Sequence, residues 1–356
     1  MSPHAASSPH PHLAPTARRA GIERVILVSP RGFCAGVVRA VATVERALAI
    51  FPAPVYVRRA IVHNAHVVAR LAAAGAVFVD ELDEVPRGAV VVFGAHGVAA
   101  SVAEQAWARD LHVVDATCPL VAKVHREVRR SRRRGYDVVL IGHAGHDEVV
   151  GTLGQASGVQ LVENVSDVAR VRAACPDRVA CVTQTTLRPQ EVAPVIDAMR
   201  QRFPALIQPA TEDICYATRN RQAAIEWLAR QVDVVLVIGD PTSSNSRRLC
   251  EAASAVGCAA YLVGTAAELE DSWLVHASVV GVSAGASTPD HLVSEVVESL
   301  CRGGAAVQER AFLEERVAFR LPEEVVANEP KVEGDAGYEL RAPHESGISW
   351  HRTDAR

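Results

Sequence analysis

The sequence predicts an α/β protein made of three repeated units that face a common centre. Short β-branched runs alternate with segments of helical apolar spacing from Val25 to about residue 300, which is typical of mainly parallel sheets. Cys34, Cys118 and Cys215 each precede a helical segment, and polar residues follow each cysteine at similar separations. Because open α/β sheets place their ligands at the carboxyl ends of the strands, the three units should enclose one cavity.

The first elements follow from these patterns in order. The β-branched run Val25–Val28 predicts a strand, and the apolar residues behind Cys34 recur at helical spacing. Further strands are predicted at Val55–Val57, Ala76–Val79 and Val90–Phe93, separated by a helix at Asn64–Ala74 that Gly75 ends.

The repeat divides the chain into five segments. We predict a disordered extension at 1–21, α/β units at 22–117, 118–211 and 212–303, and a C-terminal tail at 304–356. In the tail, only Val317–Leu321 has an apolar pattern, which predicts an edge strand or a strap across another unit, with disorder beyond it. The extension is rich in Ala, Ser, Pro and His and poor in acids, so an organellar transit peptide is the alternative.

Composition excludes several classes of protein. The chain has 356 residues, a hydrophobic fraction of 49% and a net charge of −4, which argues against a general nucleic-acid binder. Its longest apolar runs, such as Val234–Ile238, are far shorter than the roughly 18 residues of a transmembrane helix. Eight cysteines are too few for a disulfide scaffold. We therefore expect a reducing compartment, the bacterial cytoplasm or alternatively a plastid, and neither a membrane nor a nucleic acid as partner.

The polar residues after the three cysteines also repeat. At the next predicted strand end, a polar residue follows each cysteine by 29, 28 or 28 residues: His63, His146 and Ser243. One strand further on, the separations are 62, 67 and 72 residues: His96, Thr185 and Ser287. Each unit therefore presents one cysteine and two polar groups to the predicted cavity.

Three cysteines at helix starts suit a metal centre, because a helix N-terminus favours the thiolate. Zinc with a water as fourth ligand would make a hydrolytic site. A [4Fe–4S] cluster would keep one iron without a protein ligand. The third alternative is three buried cysteines that pack as small apolar groups. The other five cysteines lack a repeated polar motif and are interpreted as structural: Cys175, Cys181, Cys250, Cys258 and Cys301.

The strand-end loops carry groups that suit a phosphate or diphosphate. Histidine, hydroxyl and amide side chains converge there with backbone N–H groups, which together predict an oxyanion site: His63, His96, His146, Ser243, Ser244, Asn245 and Ser287. Each loop taken alone is also compatible with an ordinary capped turn. Glu148 is the one carboxylate of this set, and burial would raise its pKa and suit it to donate a proton. The alternative is an acid that complements a helix dipole.

A dense basic run lies near the predicted end of one helix, at Arg126, Arg129, Arg130, Arg132, Arg133 and Arg134. A solvated helix end explains it, and a docking surface for an acidic electron carrier is the alternative.

Several motifs resemble those of the 4-hydroxy-3-methylbut-2-enyl diphosphate reductase (LytB) family, over roughly residues 22–303. In the first half these are RGFCAGV (31–37), IVHN (61–64), AHGV (95–98) and DATCPLV (115–121). In the second half they are GHAGHDE (142–148), TQTT (183–186), DICYAT (213–218), SSNS (243–246) and AGASTP (284–289).

This resemblance implies a trefoil of three α/β units around a central iron–sulfur cavity, with Cys34, Cys118 and Cys215 as ligands of one [4Fe–4S] cluster. It implies that the substrate is an allylic diphosphate, bound by His63, His96, His146, Ser243, Ser244, Asn245 and Ser287. Thr185 and Glu148 would lie near the substrate hydroxyl, with Glu148 in the proton relay. The implied reaction is a reductive dehydroxylation to isopentenyl and dimethylallyl diphosphate, with electrons from a ferredoxin- or flavodoxin-type donor.

Two sites depart from the resemblance. Arg59 and Ala60 stand where His-Glu is frequent, and Asp147 stands where a proline is frequent. Neither site holds an implied ligand, so the departures concern the local shape of the pocket. The rival functions are a zinc hydrolase of a phosphorylated substrate and an iron–sulfur sensor without turnover, against which the acid Glu148 argues.

Overall fold

The computed structural model describes residues 21–209 and 212–326 and the backbone of two short strands beyond them. The predicted extension at 1–21 therefore lies, except for Gly21, outside the described residues. The strands are β1 (Arg24–Ser29), β2 (Val55–Arg58), β3 (Ala76–Val79), β4 (Val90–Phe93), β5 (His112–Asp115), β6 (Asp137–Ile141), β7 (Gln160–Val162), β8 (Val179–Thr183), β9 (Val234–Ile238), β10 (Ala259–Val263), β11 (Val279–Ala284), β12 (Ala306–Ala311), β13 (Tyr338–Glu339) and β14 (His351–Arg352). The helices are α1 (Ala35–Ile50), α2 (Ala65–Ala73), α3 (Ala100–Ala108), α4 (Pro119–Arg133), α5 (Asp147–Leu153), α6 (Pro189–Arg202), α7 (Tyr216–Ala229), α8 (Ser244–Ala255), α9 (Asp290–Cys301) and α10 (Glu323–Val326).

Three parallel sheets form the frame of the molecule. The first has the strand order β3-β2-β4-β5, the second β7-β6-β8 and the third β10-β9-β11-β1-β12. Apolar β-branched residues dominate their central strands, as expected for parallel sheets that helices cover on both faces. The predicted α/β class with three repeated units is confirmed. None of the described helices combines the length and the apolarity that crossing a bilayer requires.

Each of the three cysteines lies where the chain passes from one sheet to the next. Cys34 follows β1 of the third sheet and is the N-cap of α1, which packs on the first sheet. Cys118 follows β5 of the first sheet and is the N-cap of α4, which packs on the second. Cys215 is the N-cap of α7, which packs on the third sheet. The three crossings bring all three cysteines to the junction of the sheets.

One boundary expected from the sequence differs in the structure. The segment 22–117 was expected to form one unit, but its first strand, β1, belongs to the third sheet, where it pairs with β11 and β12. The apolar run Val25–Val28 is buried and therefore suits the centre of any parallel sheet. Its sequence alone does not specify which sheet receives it.

For Val317–Leu321, the strap across another unit agrees with the structure, and the alternative of an edge strand is wrong. The structure forms β12 at Ala306–Ala311 instead, where it pairs with β1 alone. This edge strand is largely exposed and carries Gln308, Glu309 and Arg310, so it lacks the apolar pattern of a buried strand.

Residues 312–326, here called the strap, run from the third sheet to the first unit. Glu315 binds the buried Arg221 of α7 through both carboxylate oxygens at 3.1 Å. Arg221 in turn donates to the carbonyl of Gly32, two residues before Cys34. At the other end of the strap, Val325 is fully buried in the core of the first unit. The strap therefore ties the loop of Cys34 to both neighbouring units.

We predict that Glu315→Gln destabilises the protein by about 3 kcal/mol, because it leaves the guanidinium of Arg221 buried without its countercharge. Urea unfolding measures this change. Glu309→Gln is the matched control, since Glu309 also pairs with an arginine, Arg31, but is 67% exposed, and we expect less than about 1 kcal/mol. Equal effects of the two substitutions would contradict the role of the strap.

Candidate active site

The thiols of the three cysteines lie close together. A Cβ atom placed on Gly36 would lie 2.7 Å from the Cys118 Sγ and 3.8 Å from the Cys34 Sγ, so only glycine leaves this space open. Burial, together with the charge of Cys34, raises the pKa of Cys118 to about 12 and that of Cys215 to about 11. The charge of Cys34 therefore opposes the ionisation of Cys118 and Cys215, and a cationic centre among the thiols would favour the thiolates.

Backbone hydrogen bonds fix each cysteine to the loop of a predicted polar residue. Cys118 N donates to Ala95 O, next to His96, at 2.9 Å. Cys215 N donates to Thr185 O at 3.0 Å. The N–H of Cys34 donates at 3.1 Å to the carbonyl of the residue before Ser287. The same bond therefore recurs three times, and it places a polar side chain beside each cysteine.

This arrangement fits a metal centre held by thiolates. Three soft ligands come from three distant segments, and the backbone anchors each of them. The Cys215 Sγ also accepts a hydrogen bond from Thr218 N at 3.2 Å and lies 3.0 Å from the Thr218 Oγ1. Among the other cysteines, Cys181, Cys250 and Cys301 lie in β8, α8 and α9. Cys258 lies just before β10, and Cys175 is exposed on the surface.

Three imidazoles form a cluster beside the thiols. The rings of His63 and His96 stack with a centroid distance of 4.1 Å, and His146 approaches them edge-on at 5.1 and 5.6 Å. Burial lowers the pKa of all three, that of His146 to about 4. The cluster is therefore neutral at pH 7 in the ligand-free chain, and an anion would favour its protonation.

Hydroxyl and amide groups of the third unit adjoin the imidazole cluster. Ser287 Oγ donates to His63 O at 2.8 Å, which joins the third unit directly to the loop of His63. Asn245 Oδ1 accepts from the backbone N–H of Ala286 at 2.9 Å, while its buried Nδ2 makes no hydrogen bond within the described residues. Ser243 and Ser244 are buried at the beginning of α8. An unpaired buried amide donor indicates a site for an acceptor ligand.

Glu148 is buried and makes two hydrogen bonds with Thr185. Its Oε1 accepts from Thr185 N at 2.6 Å, and its Oε2 accepts from Thr185 Oγ1 at 2.8 Å. Burial raises the pKa of Glu148 to about 7, which outweighs the opposing effect of these bonds. The carboxyl group is therefore partly protonated at neutral pH, as a proton donor requires.

Thr186, Gln184 and Thr218 also lie in the site, although none of them is among the site residues predicted from the sequence. Thr186 Oγ1 donates to Ser244 Oγ at 3.0 Å and accepts from Gln184 Nε2 at 2.8 Å, which connects the second and third units. Thr218 contacts the Cys215 sulfur. Both threonines lie in the motifs TQTT and DICYAT, one residue after Thr185 and three residues after Cys215. This proximity to predicted site residues is the sequence signal that could identify them.

A second group could also hold a metal ion. His63, His96 and Asp147 place three possible ligand atoms within 4.8 Å of one another. However, Arg59 Nη1 already donates to the Asp147 carboxylate at 2.6 Å and supplies its countercharge. The thiol cluster is therefore the better site for a metal centre.

Comparison with known proteins agrees with the geometry. The sequence model of the family described as "LytB protein" matches residues 25–301. The chain is 52% identical over 304 residues to the 4-hydroxy-3-methylbut-2-enyl diphosphate reductase of Methylibium petroleiphilum, which covers 85% of this chain and 92% of that protein. The enzyme of the same name from Edwardsiella ictaluri is 53% identical over 308 residues, which cover 85% of this chain and 97% of that protein.

Solved structures show the same fold. The E-1-hydroxy-2-methyl-but-2-enyl-4-diphosphate reductase from Plasmodium falciparum superimposes with a TM-score of 0.83 and 34% identity, over 86% of this chain and 98% of that one. A second structure, of the (E)-4-hydroxy-3-methyl-but-2-enyl diphosphate reductase described as the terminal enzyme of the non-mevalonate pathway, has a TM-score of 0.58 at 34% identity, over 78% of this chain and 99% of that one. With a family match over most of its length and relatives more than half identical to it, the chain belongs to the LytB protein family.

Proposed function

We infer that this chain is a 4-hydroxy-3-methylbut-2-enyl diphosphate reductase, the terminal enzyme of the non-mevalonate pathway. The observation that carries this inference is the buried Glu148 carboxyl group, with a pKa raised to about 7. Thr185 binds this carboxyl group and accepts a backbone hydrogen bond from Cys215, and the backbone N–H of Glu148 donates to His146 of the imidazole cluster. The reaction adds two electrons and two protons to an allylic alcohol, releases water, and leaves isopentenyl or dimethylallyl diphosphate.

We propose that Cys34, Cys118 and Cys215 hold one [4Fe–4S] cluster. When bound by three thiolates, such a cluster supplies electrons and one iron that can act as a Lewis acid toward a substrate oxygen. The thiol geometry and the absence of a fourth cysteine beside them among the described residues support this choice. The N-cap positions of the three cysteines also favour an anionic centre.

The diphosphate is proposed to lie between the imidazole cluster and the hydroxyls of the third unit. Binding of an anion would shift the neutral imidazoles toward their protonated form, which strengthens their hydrogen bonds to phosphate oxygens. On the other side, Asn245 Nδ2 is an unpaired donor, and the hydroxyls of Ser243, Ser244 and Ser287 add further donors. These groups would fix the diphosphate and exclude water around it.

Glu148 is proposed to deliver the proton with which the substrate hydroxyl leaves as water. Thr185 holds the carboxyl group through two hydrogen bonds, so its orientation is set before the substrate binds. The Thr185 hydroxyl can also pass a proton onward, since it can donate and accept at once.

The test is anaerobic purification of the full chain, followed by iron and sulfide analysis, Mössbauer spectroscopy and turnover of 4-hydroxy-3-methylbut-2-enyl diphosphate. We expect about four iron and four sulfide per chain, as the cluster formula requires, and formation of both products. Zinc with hydrolytic activity would support the hydrolase instead, and a cluster without turnover would support a sensor.

The electron donor is proposed to be an acidic carrier of the ferredoxin or flavodoxin type. Six arginines lie along or just after α4, whose N-cap is Cys118. At 1.5 Å per residue, Arg126 lies about 12 Å along the helix from Cys118 and Arg134 about 24 Å. The near end of this basic run, around Arg126, is therefore the expected point of electron entry.

We predict that replacing Arg126, Arg133 and Arg134 by Gln slows reduction by an acidic carrier about tenfold at low salt, because electrostatic steering is lost. Reduction by dithionite serves as the control and should be unchanged. Equal rates of the variant and the parent protein with the carrier at low salt would exclude this docking surface.

A further inference from the structure

An ion pair joins the first and second units beside the imidazole cluster. Arg59 lies just after β2, and its Nη1 donates to Asp147 Oδ1 at 2.6 Å. The second carboxylate oxygen of Asp147 lies 3.9 Å from His63 Nε2, which is buried and makes no hydrogen bond within the described residues. Arg59 Nη2 also lies 3.3 Å from Glu81 Oε1. The pair is therefore adjacent to the proposed diphosphate site, and neither residue is among the donors named for that site above.

Arg59 and Asp147 also line two cavities. The smaller one, here called the inner cavity because His96 of the imidazole cluster lines it, has a volume of about 40 Å³. The outer one has a volume of about 460 Å³ and opens to the surface. Arg59, Ala60 and Asp147 line both of them. The outer volume is in the range of small-ligand sites, whereas the inner one has room for little more than water.

The chemistry of the pair allows exchange. A guanidinium binds carboxylates and phosphates with the same two-pronged geometry, so a phosphate can replace a carboxylate on it. The side chains of Arg59 and Asp147 are 35% and 22% exposed, and an ion pair with this exposure is weak. A diphosphate carries more negative charge than one carboxylate and competes favourably for the arginine. The hydrogen bond from Arg59 N to Val79 O, at 2.7 Å, holds the backbone, so the exchange needs only side-chain movement.

We propose that Arg59 is the entrance residue for the diphosphate and that Asp147 holds it in the ligand-free chain. The diphosphate arrives through the outer cavity, takes the place of the Asp147 carboxylate on the guanidinium, and keeps this contact with Arg59 when it is bound at the imidazole cluster. This proposal rests on the function proposed above for the diphosphate site. Arg59 and Asp147 belong to the two sites at which this sequence differs from the residues that are frequent in the LytB family.

The test measures binding of inorganic diphosphate to the full-length, metal-loaded protein by calorimetry. Arg59→Gln should weaken binding about tenfold, because a charged hydrogen-bond donor is lost. Arg59→Lys keeps the charge and should recover part of this loss. Asp147→Asn should strengthen binding about threefold, because it frees the guanidinium. In the double variant Arg59→Gln/Asp147→Asn, the gain should disappear, since no arginine remains to be freed.

A matched control pair lies on the same unit. Arg70 and Glu45 form an ion pair of the same length, 2.6 Å, that lines neither cavity. Arg70→Gln and Glu45→Gln should leave the affinity for inorganic diphosphate unchanged. Melting temperatures of all variants show whether any of them loses its fold.

Two results would overturn the proposal. One is a folded Arg59→Gln variant that binds inorganic diphosphate as tightly as the parent protein. The other is a double variant in which the effects of the single substitutions simply add, because a structural latch without exchange predicts that result. Failure of the proposed function is distinguishable from both. In that case the variants show the expected coupled effects on the binding of inorganic diphosphate, but the parent protein does not reduce 4-hydroxy-3-methylbut-2-enyl diphosphate.

Discussion

Replacing Cys34, Cys118 or Cys215 by serine should remove most of the iron from the protein and abolish turnover. An alkoxide is a poor ligand for a soft metal centre, and each of the three thiols lies in the same cluster. Mutation of a residue that only hydrogen-bonds to a metal ligand typically lowers metal affinity roughly 10–100-fold. Loss of a ligand itself should lower the metal affinity more than that. Iron and sulfide content after anaerobic purification measures this effect.

Cys250→Ser and Cys301→Ser are the matched controls. Both cysteines are half-buried like the cluster cysteines, but they lie in α8 and at the end of α9. The iron content of the two control variants should equal that of the parent protein. If a control substitution removed the iron while Cys34→Ser retained it, the assignment of the three ligands would have to be abandoned.

Glu148→Gln should reduce turnover on the order of 10²–10⁴-fold while the cluster and the substrate affinity stay near normal. Glutamine has the size of glutamate and can still accept the hydrogen bond from Thr185 N, but it carries no acidic proton. Steady-state kinetics with parallel measurements of iron content and substrate binding separate these quantities. A turnover equal to that of the parent protein would refute the role of Glu148 as proton donor.

The pH dependence gives a second measurement of the same group. Because burial raises the pKa of Glu148 to about 7, the protonated acid is present below pH 7 and is lost as the pH rises above it. The value of kcat/KM should therefore fall above pH 7, about tenfold per pH unit, and this decline should be absent in Glu148→Gln.

His96→Ala provides the contrast to Glu148→Gln. The His96 ring stacks on His63, and its proposed role is to bind the diphosphate and not to move a proton. We therefore expect mainly a higher KM and a kcat closer to that of the parent protein. If His96→Ala lowered kcat as strongly as Glu148→Gln at unchanged KM, the division between binding and proton delivery would be wrong.

The cysteine repeat was the strongest signal in the sequence. Cys34, Cys118 and Cys215 precede helices, and polar residues follow them at nearly constant separations. Parallel strands present their carboxyl ends at one edge, so equal spacing along the chain becomes proximity in space. The structure brings the three thiols together through this geometry and adds the recurring backbone bond from each cysteine to a neighbouring loop.

The sequence by itself determined the α/β class, the three repeated units and the residues that gather at their junction, because periodicity and spacing are properties of the local chain. Only the tertiary structure decided that β1 joins the third sheet, that β12 is its edge strand, and that Arg59 faces Asp147. It also decided that Glu148 is buried against Thr185. These features depend on contacts between residues about 40 to 280 positions apart, and such contacts leave no periodic pattern in the sequence.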